Sequence, residues 1–134
     1  MLSYKDKLIQ WGITDKIIVK KFKSKLVNKE NGCIEFNGPF WDSRKLYRGF
    51  NIYKPIEVDG KSSEALVKAH RFAFALHYGF DALPKAGDPF TAKTKIVNHM
   101  CHNKSCVNPK HLNVITSSEN LQKENLKPMV CINV

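Results

Sequence analysis

The chain has 134 residues, 43% of them hydrophobic, and its 22 basic against 12 acidic side chains leave a formal charge of +10. That suffices for one domain with a modest core, and no apolar run approaches the roughly 18 residues of a membrane-spanning helix. The charge favours polyanionic partners, nucleic acid above all, although a lysine-rich face is often only a solvated one.

The first residues, Met1-Leu2-Ser3-Tyr4-Lys5-Asp6-Lys7, carry neither an apolar export core nor a small-residue cleavage site, so a cytoplasmic protein is expected. Across residues 4–28 the apolar positions Leu8, Ile9 and Trp11, then Ile17, Ile18, Phe22 and Leu26, point to two short helices. They break near Gly12-Ile13. The second opens around Thr14 and is made basic by Lys20, Lys21, Lys23 and Lys25, either as a solvated face or for phosphate contact.

Asn31-Gly32 signals a turn, and Cys33-Ile34-Glu35-Phe36-Asn37 then alternates as a half-buried strand does. Residues 39–45 read as a loop. Further strands are expected from Tyr47 to Tyr53 and at Ile56-Glu57-Val58, with Asp59-Gly60 as a turn. Ala65, Leu66, Ala69, Phe72, Ala73 and Leu76 predict a helix over residues 63–78, ended by Gly79. Residues 81–95 read as a loop and Ile96-Val97-Asn98 as a short strand. A last helix starts at Ser117, with Thr116 or Ser117 as its cap.

The segment after that short strand carries the chemistry. Cys101, Cys106 and His111 form a Cys-x4-Cys-x4-His run, and Asn108-Pro109 supplies a turn that brings His111 back toward the cysteines. Without an export signal, the four cysteines read as metal-binding thiols rather than as two disulfides. A structural zinc takes four ligands. The fourth is Cys33, from its strand, or Cys131, from the tail. His99 stands two residues before Cys101, where it is either a ligand itself or a general base. Asn120 offers an amide oxygen, poor for zinc and good for a hard cation such as Mg2+. A histidine base beside an amide-held hard cation can hydrolyse a phosphodiester.

These pieces resemble the HNH endonucleases, in particular phage and intron homing enzymes with a zinc-stapled ββα-metal fold, and the related His-Cys box enzymes. The resemblance rests on Gly32-Cys33-Ile34-Glu35-Phe36, Ala69-His70-Arg71, His99-Met100-Cys101, Cys106-Val107-Asn108-Pro109-Lys110-His111-Leu112 and Thr116-Ser117-Ser118-Glu119-Asn120, in that order over about residues 20–125. It implies an α+β fold and a role for each matching residue. His99 would be the general base and Asn120 the ligand of the catalytic Mg2+ or Mn2+. Cys101, Cys106 and His111 would hold structural zinc, with Cys33 as fourth ligand. Asn108 would brace the loop, Arg71 would grip the scissile phosphate or else form only a surface ion pair, and His70 would orient or contact backbone or else be a satisfied core histidine. His77 and His102 match nothing and read as non-catalytic.

One departure stands out. Residues 40–68 are longer and more lysine-rich than the compact hairpin of such enzymes. Their Arg44, Lys45, Arg48 and Lys54, interleaved with Tyr47 and Tyr53, form either a DNA-reading ribbon or an ordinary exposed sheet. The expectation is a single nuclease domain over residues 1–134, with a helical extension at 1–30, a zinc-stapled core at 31–125 and a tail at 126–134. It would act on double-stranded DNA, as monomer or homodimer, in the cytoplasm, that of a bacterial host if the chain is phage-encoded. The rival is a zinc-stapled DNA-binding module without catalysis.

Overall fold

A computed structural model describes residues 3–52, 66–85 and 91–120. Tyr53, Lys54, the predicted strand at 56–58 with its Asp59-Gly60 turn, and the tail with Cys131 lie outside the described residues.

Two helices open the described chain. Helix α1 (Tyr4–Gly12) is capped by Ser3, whose Oγ accepts from the Asp6 N–H at 3.1 Å. Gly12 closes it where the chain passes tightly over the core. A Cβ there would meet the Phe72 ring at 3.0 Å and Ile52 at 3.2 Å. Helix α2 (Lys16–Lys23) starts on Asp15, not Thr14. The Asp15 carboxylate accepts from the N–H groups of Ile17 (2.9 Å) and Ile18 (3.2 Å), whereas the Thr14 hydroxyl donates back to Trp11 O. The apolar spacing extended this helix to Leu26, but the structure ends it at Lys23 and gives Leu26 to a strand. The Asn31-Gly32 turn closes a hairpin there, so β1 (Leu26–Asn28) pairs antiparallel with β2 (Ile34–Phe36).

A second pair, β3 (Gly49–Asn51) and β4 (Leu66–Lys68), is also antiparallel. The helix predicted over 63–78 is therefore shorter among the described residues. Leu66-Val67-Lys68 extend along β3 with Val67 in the core, and the Ala69 N–H still donates to Arg48 O before helix α3 (Ala69–Tyr78) begins. Gly79, at φ +99°, ends α3. The third pair is β5 (Lys95–His99) with β6 (Leu112–Thr116), in register from Lys95–Thr116 to His99–Leu112. Residues 117–120 are helical.

Phe22, Phe36, Phe50 and Phe72, from α2, β2, β3 and α3, lock these pieces together. Their ring centroids lie 4.7–5.6 Å apart in stacked, tilted and edge-on pairs. A separate buried cluster holds Cys33, Cys101 and Cys106. Among the described residues no helix is long and apolar enough to cross a membrane.

Candidate metal centre and catalytic cavity

Two loops build the thiol cluster. In the β1–β2 turn, Gly32 takes φ +89°, Asn31 Oδ1 accepts from the Cys33 N–H at 3.0 Å, and the Lys29 N–H donates to Cys33 O at 2.8 Å. The loop between β5 and β6 supplies Cys101, Cys106 and His111. Asn108 joins the two loops. Its Oδ1 accepts from the Lys110 N–H at 3.0 Å, shaping the short 3-10 turn that presents His111, and its Nδ2 donates to Gly32 O at 2.8 Å. The seam continues where the Val107 N–H donates to Ile34 O, the Phe36 N–H to Ser105 O and Asn103 Nδ2 to a Glu35 carboxylate oxygen.

The result is a buried Cys3His set whose ligand atoms all lie within 4.8 Å of one another. His111 Nδ1 is 3.6 Å from Cys33 Sγ and 3.5 Å from Cys106 Sγ. Tetrahedral zinc, with bonds near 2.3 Å to sulfur and 2.0–2.1 Å to nitrogen, implies an S–N edge of about 3.6 Å. Donor types, burial and spacing therefore fit an ion that could be zinc. Without a cation, the hydrogen bond with Cys101 and then burial push the Cys106 thiol far up from its ordinary range. A divalent charge reverses that preference. None of Cys33, Cys101 and Cys106 is in a disulfide.

His99 closes β5 two residues before this cluster. Its carbonyl accepts from the His102 N–H at 3.1 Å, and the next residue, Met100, donates its N–H to His111 O at 2.8 Å. The His99 ring packs 4.6 Å from His70, which stacks at 5.2 Å on Tyr47. Burial, then the charges of His99, Lys68, Arg71 and Lys104, hold the His70 imidazole well below the ordinary histidine range, so it is neutral near pH 7.

Asn120 reaches the same place through a capping box. The Glu119 carboxylate accepts from the Thr116 N–H (3.1 Å) and hydroxyl (2.9 Å), and Thr116 Oγ1 accepts from the Glu119 N–H at 3.2 Å. The N–H groups of Ser117 and Ser118 donate to the carbonyls of Thr94 and Ala92. The helix start is thus pinned beside β5, and Asn120 falls in its first turn. His99 and Asn120 line one cavity of about 20 Å³, with Tyr47, Asn98, His102 and Lys104 among its other walls. That is space for a water or a small cation.

Residues 67–122 match the family model described as HNH endonuclease. Through this stretch the chain is similar to the HNH endonuclease family. Searches of curated proteins and of solved structures gave no match. The HNH stretch contains His70, Arg71, His99, Cys101, Cys106, Asn108, His111 and Asn120, and leaves out Cys33 and the basic loop before it.

Not every residue singled out from the sequence converges on the cavity of His99 and Asn120. Arg71 points instead to α1, where its guanidinium bonds the buried Asp6 carboxylate at 2.7 Å; the two side chains are 16% and 2% exposed. Arg48 is spent within the protein. It donates to Ser105 Oγ (3.1 Å) and Gly38 O (3.0 Å) and lies 3.9 Å over the Phe40 ring, tying the arm around Trp41 to the metal loop. Arg44 folds onto Asp42 at 3.0 Å, and Lys45 takes φ +57° at the same exposed tip. Lys54 lies outside the described residues.

Conversely, Tyr47, His102 and Lys104 line that cavity without having been marked for it by any motif. His102 adopts φ +62° in the turn after Cys101, and its buried Nε2 finds no hydrogen-bond partner among the described residues. Lys68 and Lys104 each set an ammonium 5.0 Å from the Tyr47 ring. The cavity rim is therefore cationic. Burial, then repulsion from Arg71, lowers the Lys68 pKa.

Proposed function

We propose that this HNH chain is a divalent-metal-dependent DNA endonuclease that hydrolyses phosphodiester bonds. The observation that carries the reading is the shared cavity of His99 and Asn120, two side chains that the Cys3His set does not need. In this reading β5, β6 and the helix from Ser117 form a ββα-metal core. Cys33, Cys101, Cys106 and His111 hold zinc, which supplies a rigid closure of the loop between the two strands.

His99 takes a proton from a water in the cavity and so raises its nucleophilicity toward phosphorus. The ring is oriented by its packing on His70 and Tyr47, and its backbone by the bond from His102. Lys68 and Lys104 draw the phosphodiester toward the mouth by charge. Asn120 would hold a Mg2+-type ion, which when bound stabilises charge on the phosphate and on the departing 3′-oxygen. Few protein ligands suit such an ion, which keeps water and leans on phosphate. The products would bear 5′-phosphate and 3′-hydroxyl ends.

The test is nicking of supercoiled plasmid in Mg2+ by the zinc-loaded protein. The wild type is expected to nick. His99→Ala and Asn120→Ala should each lose on the order of a hundredfold or more in rate, with zinc content and DNA binding unchanged. A wild type that binds the plasmid and leaves it intact would make the chain a zinc-stapled binding module instead. A His99→Ala variant that cuts at the wild-type rate would remove His99 from the mechanism.

A further inference from the structure

A second cleft lies beside the catalytic cavity, and of its walls only Lys68 enters the chemistry above. It measures about 350 Å³, and Ile96 walls both spaces. Its size falls in the range of small-ligand sites, roughly 300–1,000 Å³. Trp41 forms one side, against Ile9, Val67 and Ile96. The tryptophan is set in place by a short antiparallel arm. Its N–H donates to Tyr47 O at 2.7 Å, Phe40 bridges Arg48, and the Gly49 N–H donates to Pro39 O at 2.7 Å.

Around this apolar floor the charge is almost all of one sign. Lys5, Lys68, Lys95 and Arg71 line the cleft, and its carboxylate, Asp6, is already paired with Arg71. The ammonium groups of Lys5 and Lys68 both stand 5.5 Å from the Trp41 ring. Lys68 also stands over Tyr47, in the wall of the catalytic cavity. One cation therefore links the two sites.

We propose that the Trp41 cleft takes one unstacked nucleobase of the bound strand, next to the phosphate held at His99, with Lys5, Lys68 and Lys95 on the flanking backbone. An aromatic plane ringed by cations is how single-stranded nucleic acid is held without reading its sequence. A free anion has no use for the tryptophan, and an apolar ligand has no use for the cationic rim. The proposal rests on the nuclease reading for the identity of the strand. It adds that a nucleotide leaves the stack during engagement, so the enzyme deforms its substrate rather than docking on regular duplex.

The probes are a fluorescent thymidine tetranucleotide and a tetramer of the same length whose sugars carry no base. Binding to the full-length, zinc-loaded protein is followed by anisotropy without added Mg2+, and plasmid nicking is measured on the same preparation. The wild type is expected to bind the base-bearing probe roughly tenfold more tightly. Trp41→Ala and Trp41→Leu, the latter keeping apolar bulk, should bind both probes alike. Lys95→Glu, on the exposed rim, should weaken both to a similar degree. If the wild type nicks plasmid but does not discriminate between the probes, or if either folded Trp41 variant keeps the discrimination, the cleft assignment is overturned and the nuclease reading stands. If the wild type discriminates without nicking, the cleft assignment is supported and the nuclease reading fails. If it neither nicks nor binds either probe, both fall.

Discussion

His70 shows how one residue ties stability to the site. Buried beneath Tyr47 and His99, it stays neutral in the folded chain, whereas in the unfolded chain it takes up a proton near pH 6.5. Acid therefore favours the unfolded state. Stability contributed here is complete above about pH 6.5 and falls as pH drops toward the lower folded pKa, by up to about 1.4 kcal/mol per pH unit. Urea midpoints at about pH 7.5 and 5.5 in saturating zinc, for wild type and His70→Gln, measure this share. The wild type should lose more on acidification; equal losses would mean that His70 titrates as freely folded as unfolded. His99, Cys101, Cys106, His111 and Asn108 were legible in the sequence because they sit in one short run whose spacing and Asn-Pro turn carry their own geometry. Tyr47 and Lys104 were not, since an aromatic and a lysine in loops acquire a role only through contacts distant in the chain.

Between elements, Arg71 and Thr116 make opposite points. The resemblance gave Arg71 to the phosphate, whereas the fold uses it to fasten α3 to α1 through Asp6. Removing one partner of so buried a pair costs about 3–5 kcal/mol. If that is its work, Asp6→Asn and Arg71→Gln should lower the urea midpoint alike and leave the nicking of the folded fraction comparable. Loss of nicking in Arg71→Gln alone would return the residue to the phosphate. Thr116 is not among the residues lining the cavity of His99 and Asn120, but its hydroxyl fixes where the last helix begins. Thr116→Val keeps the shape and removes the cap. Nicking should fall on the order of tenfold, through the placement of Asn120, with zinc content unchanged; an unaltered rate would show that β6 alone sets that position. The helix boundaries were the least legible elements. Leu26 and Leu66 suit a helical stripe by spacing, and only pairing with Phe36 and Asn51 makes them strand. No local pattern encodes a partner ten to fifteen residues away.

For the whole molecule, a small chain divides its stability between two centres. Four phenylalanines bind α2 and α3 to the first two strand pairs, and the Cys3His set joins the first hairpin to the β5–β6 loop. Small domains often depend on such staples. The α+β character and the metal loop could be read from the sequence. The close neighbourhood of the Trp41 cleft and the His99 cavity could not, because it arises where an arm from residues 39–49 meets β4, β5 and α1. The central claim is that one metal holds this fold while another serves the chemistry. It is tested most directly by dialysing the protein against dilute EDTA, then measuring zinc per chain, circular dichroism and plasmid nicking before and after adding Mg2+. One zinc per chain should remain with the fold intact, and nicking should vanish and return with Mg2+ alone. Unfolding under that treatment, or activity restored by zinc and not by Mg2+, would contradict the division into two sites.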